Sequence, residues 1–405
     1  MASSKKRLGT VGLIAAGAIL LAACGSATST NGSTRSSAAK GSPYVIGVTD
    51  DLTGGLAQYG TGMVKRLHAV FDPINASGGI GGHPVKIVAL DDQSQTSQAV
   101  ANMHQLISDG SLFVFGSTLS NICQALSPIV AQAQVGMSCW AVPSSLVKPV
   151  HPYVFDRFPP ELTMAKPIAD TVPQILHGVK PKVAFIVTNV PGSLQFEQRA
   201  EQIAQAKGWD VVMSATTSAT QPIVSSQVAA MAAKQPNVVI EELDSTQQQP
   251  FVQDLRQDGN NAAVISNVGS YSAFQAIDQS NYYQVYETQL ILNRSTSQPG
   301  AQSYVHALAG VGLTSLGAIN SGLGGNDYLG ALTLATAMKQ CGANCTRSSL
   351  RKDYTNTMLD LPGFVSHWGF TPSNHDPVSN FYIYSWNPST HLPVKLAGPV
   401  PGGSV

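Results

Sequence analysis

Five short stretches of this 405-residue chain concentrate groups able to hold a small polar molecule. In the first half they are Asp50-Asp51-Leu52-Thr53-Gly54-Gly55, Gly116-Ser117-Thr118-Leu119-Ser120-Asn121 and Val142-Pro143-Ser144-Ser145. In the second half they are Thr188-Asn189-Val190-Pro191-Gly192-Ser193 and Glu241-Glu242-Leu243-Asp244-Ser245-Thr246. Hydroxyls, glycines and backbone N–H groups dominate them. Ser120 and Ser145 can each cap a following helix, whose N-terminus favours a carboxylate or another anion. This is the chemistry of holding a ligand. Bond-breaking chemistry has no comparable support: there is no Gly-x-Ser-x-Gly elbow, Walker loop, His-Glu-x-x-His or Gly-x-Gly-x-x-Gly after a strand. The Gly78–Gly82 run precedes a strand, which makes it a turn, and His367 and His375 have no catalytic partners in the sequence. No enzymatic activity, cofactor or metal is expected.

Each stretch follows a short β-rich run, and amphipathic helical stretches lie between the runs. The pattern predicts strands at Tyr44–Thr49, Val85–Leu90, Leu112–Phe115, Gly136–Ala141, Lys182–Val187, Val211–Ser214, Asn237–Glu241 and Ala263–Asn267. Predicted helices include Met63–Asn75, Ser97–Ser108, Gln195–Lys207 and Gln248–Asp258. In the first of these, Met63, Val64, Leu67, Val70, Phe71 and Ile74 repeat with the helical period. Strict βα alternation gives parallel sheets covered on both faces, so the fold class is α/β. In such sheets ligands sit beyond the carboxyl ends of the strands, where the five stretches fall.

The N-terminus reads as a targeting segment. Lys5, Lys6 and Arg7 precede an apolar run from Leu8 to Ala23, of signal-peptide length and short of a membrane span. The run ends in Leu21-Ala22-Ala23-Cys24-Gly25, which resembles the bacterial lipobox and marks Cys24 for lipidation. Residues 24–42, rich in Ser, Thr, Gly and Ala, then read as a flexible tether with a reach of roughly 20–25 Å. A soluble, extracytoplasmic body anchored to the membrane by lipid is the expectation. With Cys24 acylated, four cysteines remain, an even number that points to disulfides in an exported protein. Cys341 and Cys345 can staple a short loop, which leaves Cys123 to pair with Cys139. The 23 basic and 23 acidic residues balance, and no basic stripe runs through the body, which argues against a nucleic-acid partner.

The stretch from Asp51 to Gly60, followed by Ile74-Asn75-Ala76-Ser77-Gly78-Gly79-Ile80-Gly81-Gly82 and then Leu90-Asp91-Asp92, resembles a known family. It is similar to the opening of the branched-chain amino-acid (Leu/Ile/Val)-type substrate-binding proteins of ABC transporters, which have the type I periplasmic-binding-protein fold. Val114-Phe115-Gly116-Ser117, Asp327-Tyr328 and Thr346-Arg347 extend the likeness along the chain. The resemblance implies two α/β lobes joined by three hinge crossings. Carried over, residues 43–157 and 297–362 form lobe 1, and residues 158–296 and 363–402 form lobe 2. It implies a monomer that captures a small polar molecule, an amino acid, amide or related compound, and delivers it to a membrane permease. A binding protein that feeds a separate signalling receptor is the alternative output.

By position in the family pattern, Ser120 and the Pro143-Ser144-Ser145 turn match groups that hold a ligand carboxylate, and Tyr59 matches an aromatic that packs on the ligand. Lobe 2 departs from the pattern. Ser193 and Asp244 stand where aromatics are expected, and no acid occupies the position near Val268 or Gly269 that would meet an ammonium. Glu241, Glu242 and Asp244 are the substitutes at the neighbouring strand end, with Asp244 the preferred one. Trp140, at the end of a predicted strand, is expected to stack on a flat or apolar group, and Tyr271 to line the cleft from a lobe-2 loop.

Overall fold

The computed structural model describes residues 40–140, 143–218, 220, 222–223, 225–290, 297–377 and 380–403. The expected signal peptide, Cys24 and most of the tether lie outside the described residues, as do Ala141, Val142 and the expected crossing near 296. Among the described residues no helix is long and apolar enough to cross a membrane.

Five strands form the first sheet: β1 (Tyr44–Asp50), β2 (Val85–Asp91), β3 (Phe113–Phe115), β4 (Gly136–Cys139) and β5 (Val154–Asp156). All run parallel in the order β2-β1-β3-β4-β5. A parallel sheet needs a crossover between successive strands, and helices Ala57–Ala76, Thr96–Ser108 and Ser120–Ala133 supply them. Both faces of the sheet are buried. Ile46, Val48, Met63, Leu67, Phe71 and Phe113 belong to one core cluster, and Met103, Leu106, Val114, Cys123, Leu126 and Cys139 to the cluster on the other side. The sequence-predicted helix from Met63 starts earlier, at Ala57, and carries Tyr59 on its first turn.

The second sheet has β6 (Lys182–Thr188), β7 (Asp210–Thr217), β8 (Val238–Glu242), β9 (Ala263–Ser266) and β10 (Tyr282–Tyr286). The chain then returns through helices Pro299–Gly310, Gly322–Cys341 and Arg347–Thr355 and a hairpin, β11 (Met358–Leu361) with β12 (Val365–Gly369). Two antiparallel strands, β13 (Asn380–Asn387) and β14 (Leu392–Pro401), complete the second sheet in the order β14-β13-β10-β9-β8-β6-β7. Along β13 the side chains alternate as a pleated strand requires: Phe381 and Ile383 enter one core, Tyr382, Tyr384 and Trp386 the other. The fold is therefore two lobes, each a largely parallel sheet between helical layers. Phe364, Trp368 and Phe370 pack in the core of the first sheet, together with helix Gly322–Cys341. His375 stacks on Phe155 of β5 at 4.1 Å, and its backbone carbonyl accepts from Asp156 N at 2.9 Å.

Both expected cysteine pairs are bonded, Cys123–Cys139 and Cys341–Cys345. The first ties helix Ser120–Ala133 to the end of β4, one residue before Trp140.

Arg157, the residue after β5, is buried among the strand ends of the first sheet. Its guanidinium is 1% exposed and donates from Nε to Asp327 at 3.0 Å and from Nη1 to Ser138 O at 2.7 Å. Nη2 lies 3.6 Å from Asp50 Oδ2, at the carboxyl end of β1. Burial pushes the Asp50 carboxyl up to about 7 against the attraction of Arg157. One arginine thus ties β1, β3, β4 and helix Gly322–Cys341 at the start of a crossing. Arg157→Met is expected to cost about 3–5 kcal/mol, because it strands buried carboxyls. Urea denaturation measures this, and adding Asp50→Asn and Asp327→Asn should recover part of the loss. A single variant as stable as the parent would refute the clamp.

Candidate functional site

Between the lobes lies a cavity of about 50 Å³, room for a small solute or roughly a few waters. Lobe 1 contributes Leu56 and Tyr59 from the start of the first helix, Thr118, Leu119 and Ser120 from the turn after β3, Trp140 after β4, and Leu323. Lobe 2 contributes Glu161, Thr188, Val190, Glu242, Leu243, Asp244 and Val268. Three of the five sequence stretches therefore reach the cavity wall through Thr118 and Ser120, through Thr188 and Val190, and through Glu242, Leu243 and Asp244.

Thr118 is fixed by Asp50, whose Oδ1 accepts from both Thr118 N and Thr118 Oγ1 at 2.9 Å. Trp140 stacks on Phe158 with ring centroids 4.3 Å apart, and Tyr59 lies beyond it at 6.4 Å. The cavity thus has an aromatic wall.

Hydrogen bonds close the lobes over it. Tyr59 OH donates to Asp244 Oδ2 and lies 2.8 Å from Ser245 Oγ. Gln58 Nε2 donates to Ser245 Oγ at 2.7 Å, Gly192 N to Ser120 Oγ at 3.2 Å, and Ser144 N to Gln195 Oε1 at 2.9 Å. Tyr59 is a latch as well as a wall. Asp244, the preferred ammonium partner in the sequence reading, lines the cavity, but Tyr59 takes one of its oxygens. The other accepts from Thr246 N at 2.8 Å and Thr246 Oγ1 at 2.6 Å, capping helix Ser245–Gln257.

The acids with capacity to spare are Glu161 and Glu242. Both are buried, their carboxyls hydrogen-bond to each other, and each keeps its Oε2 without a partner. Burial pushes both carboxyls up, and for Glu242 the neighbouring Glu161 adds to the rise. Glu161 reaches this position because residue 192 is glycine: a Cβ there would stand 2.1 Å from Glu161 Oε2. No basic side chain lines the cavity among the described residues, and no group of metal-ligating side chains there could hold an ion.

The remaining sequence candidates fall elsewhere. Ser193 is buried behind the wall, 2.7 Å from Thr188 Oγ1, and hydrogen-bonds Glu242. Pro143, Ser144 and Ser145 open the short helix Ser144–Val147 and touch lobe 2 through Ser144 N, outside the cavity lining. Tyr271 begins helix Tyr271–Ile277 and lines a second chamber, of about 270 Å³, beyond Tyr59. Sequence reading missed Glu161, although an acid in Phe158-Pro159-Pro160-Glu161 directly after a crossing is unusual enough to notice.

Residues 43–391 match the family model described as periplasmic binding protein. The chain belongs to that family. Among curated relatives, the Leu/Ile/Val-binding protein BraC3 of Rhizobium johnstonii is 33% identical over 92 residues, 23% of this chain and 25% of the relative. The match thus spans about a quarter of that relative's length. Two solved structures share the fold. The branched-chain amino acid transporter substrate binding protein LivJ from Streptococcus pneumoniae, in complex with isoleucine, superposes with a TM-score of 0.72 at 19% identity, covering 89% of this chain and 100% of that one. A solute-binding protein from R. palustris in complex with benzoate gives 0.75 at 16% identity, covering 90% and 98%. Family membership places the chain among the extracytoplasmic periplasmic binding proteins, and the two structures share its fold.

The carboxyls of this periplasmic binding protein make its stability depend on pH with a definite sign. Glu161 and Glu241 are raised by burial from the ordinary 4.5 to about 7. Between those values the folded chain holds protons that the unfolded chain has lost. Stability is therefore full below about pH 4.5 and falls as pH rises through about 7. Calorimetric melting should give a higher Tm at pH 5 than at pH 8, and Glu161→Gln or Glu242→Gln should flatten the slope. A profile rising over that window would contradict the buried pair.

Proposed function

We propose that the chain is a lipid-anchored solute-binding protein of an ABC importer, selecting a small solute that carries N–H donors, such as an amino acid or amide. The observation behind the ligand class is the pair of unpartnered buried oxygens, Glu161 Oε2 and Glu242 Oε2, beside a cavity lined by acids and no base. A buried acceptor without a partner is costly, and a ligand N–H or ammonium satisfies it. The Ser120 hydroxyl, which accepts from Gly192 N and keeps its proton, suits the ligand's carboxylate or carbonyl end at the N-terminus of helix Ser120–Ala133. Trp140 and Tyr59 flank its apolar part. Cys24 carries the lipid and the Ser-rich segment after it spaces the lobes from the membrane.

In this reading lobe 1 is residues 43–157 with 297 to about 377, since His375 packs on β5, and lobe 2 is the remainder to 402. The third crossing falls after the β11–β12 hairpin, because Phe364, Trp368 and Phe370 pack with the first sheet. Ligand bridging the lobes shifts an open form to the closed one, which a permease then recognises.

The test is thermal unfolding of the purified chain against aliphatic amino acids, amides, urea and aromatic acids. A ligand at ~100 times its Kd adds about 2.7 kcal/mol, a Tm rise of several degrees. Donor-bearing solutes should produce it, and Trp140→Ala and Glu242→Gln should each weaken binding about tenfold or more. Stabilisation by aromatic acids alone would overturn the donor reading and leave the solute-binding one. No response from the panel, with no small molecule released on unfolding, would overturn both.

A further inference from the structure

The cavity at Trp140 has a neighbour of opposite character. Tyr59 and Leu323 line both spaces, so the two chambers share a wall. The inner one is bordered by Glu161, Glu242 and Asp244 and by no base. The outer one, of about 270 Å³, is bordered by Lys65 and Arg66 and by no acid. Charge is segregated across one tyrosine.

Arg66 is the unusual member. It is 5% exposed, donates from Nη2 to Ala318 O at 3.3 Å and reaches the Tyr304 hydroxyl, but its Nε is buried without a partner. Two glycines give the guanidinium its slot. A Cβ on Gly62 would stand 2.8 Å from Nη1, and one on Gly324 would stand 1.8 Å from Nη2. Asp327 acts on Arg66 electrostatically, but it accepts from Arg157 Nε at 3.0 Å and lies outside the chamber lining. A buried guanidinium with donors to spare calls for a charged acceptor. Two further features favour an anion. The 20-residue helix Gly322–Cys341 begins here, with its N-cap Ser321 in the chamber wall. Ser245 and Ser270 add hydroxyls, while Tyr271 and Leu313 supply apolar wall for an organic body.

We infer that the outer chamber is an anion site that takes the carboxylate of a small organic molecule on Arg66 and Lys65. That carboxylate belongs either to the far end of the solute whose donor end occupies the inner cavity, or to a separate acid. The first source rests on the proposed solute-binding function; the second does not.

Pentanoate, pentylamine and 5-aminopentanoate, titrated calorimetrically at constant ionic strength, distinguish the sources. Parent, Arg66→Lys and Lys65→Ala chains are compared. A carboxylate probe should bind, about tenfold more weakly to Arg66→Lys, which keeps the charge and loses the fork, and several-fold more weakly to Lys65→Ala. Binding of pentylamine should be the same in all three. A response to pentanoate alone assigns the site to a separate acid; a response confined to 5-aminopentanoate assigns it to one spanning solute. Absence of carboxylate-dependent binding, or equal affinity in parent and variants, overturns the site. Lys65 is exposed, so its variant decides the matter even if Arg66→Lys fails to fold, with far-ultraviolet circular dichroism as the check. An amine response that Glu242→Gln abolishes, with carboxylates inert, would remove the outer site and leave the solute-binding reading in place.

Discussion

A buried arginine between two buried carboxyls sets the geometry on which the rest of the molecule depends. Arg157 follows β5 directly, so the group that ties together the ends of β1, β3 and β4 also fixes where the chain leaves the first lobe. Asp50, on one side of it, holds Thr118 through two 2.9 Å bonds, and Thr118 is part of the cavity wall. Asp327, on the other, belongs to the helix whose first turn separates the two chambers. The residue after β5 and the cavity wall are therefore parts of one network. Burial outweighs the attraction of a single arginine, which is why Asp50 titrates near 7 and the cluster sits close to neutrality.

The same balance governs the cavity, with no arginine to moderate it. Glu161 and Glu242 hydrogen-bond to each other in the lobe-2 wall; burial pushes both carboxyls up, and the neighbouring Glu161 adds to the rise of Glu242. Such a pair accepts from an incoming N–H and resists a second carboxylate. Acid chemistry lies on the lobe-2 side and hydroxyl chemistry on the lobe-1 side, so a solute with donors at one end and acceptors at the other has one favourable orientation.

Much of this architecture was legible in the sequence, and the gaps have physical causes. β1 to β4 and β6 to β9 stand out as short runs rich in apolar and β-branched residues, whereas β5, three residues long, does not. Helix Gly322–Cys341 left no trace. It is buried on nearly every side, so its apolar residues follow no helical period. The hinge-proximal residues were harder still. Nothing local in Asp156-Arg157-Phe158 reveals that its arginine will meet aspartates 107 positions before it and 170 positions after it. Strand ends point to Ser120, Trp140 and Glu242 to Asp244, which line the cavity, while Tyr59 follows from the family resemblance alone. Asp244 lines the cavity as expected, but nothing in the sequence shows that a helix cap and a tyrosine take up most of its carboxylate. The serines of the Pro143 turn were placed on the wall by analogy, whereas the short helix they begin turns them toward the lobe-2 rim.

The modest number of interlobe bonds explains how a small solute can control a two-lobed protein. Among the described residues the polar contacts between the lobes include those of Gln58 and Tyr59 with Asp244 and Ser245, of Ser120 with Gly192, of Ser144 with Gln195 and of Asn326 with Glu287. Net hydrogen bonds contribute about 0.5–1.5 kcal/mol each, and ordering the side chains offsets part of that. The closed form is thus held by a few kilocalories, the range in which open and closed populations respond to a ligand. Swinging such an equilibrium from mostly open to mostly closed takes about 5.5 kcal/mol of preferential binding. A solute with micromolar affinity for the closed cleft has about 8.2 kcal/mol to draw on. The polar latch keeps the switch within reach of its solute.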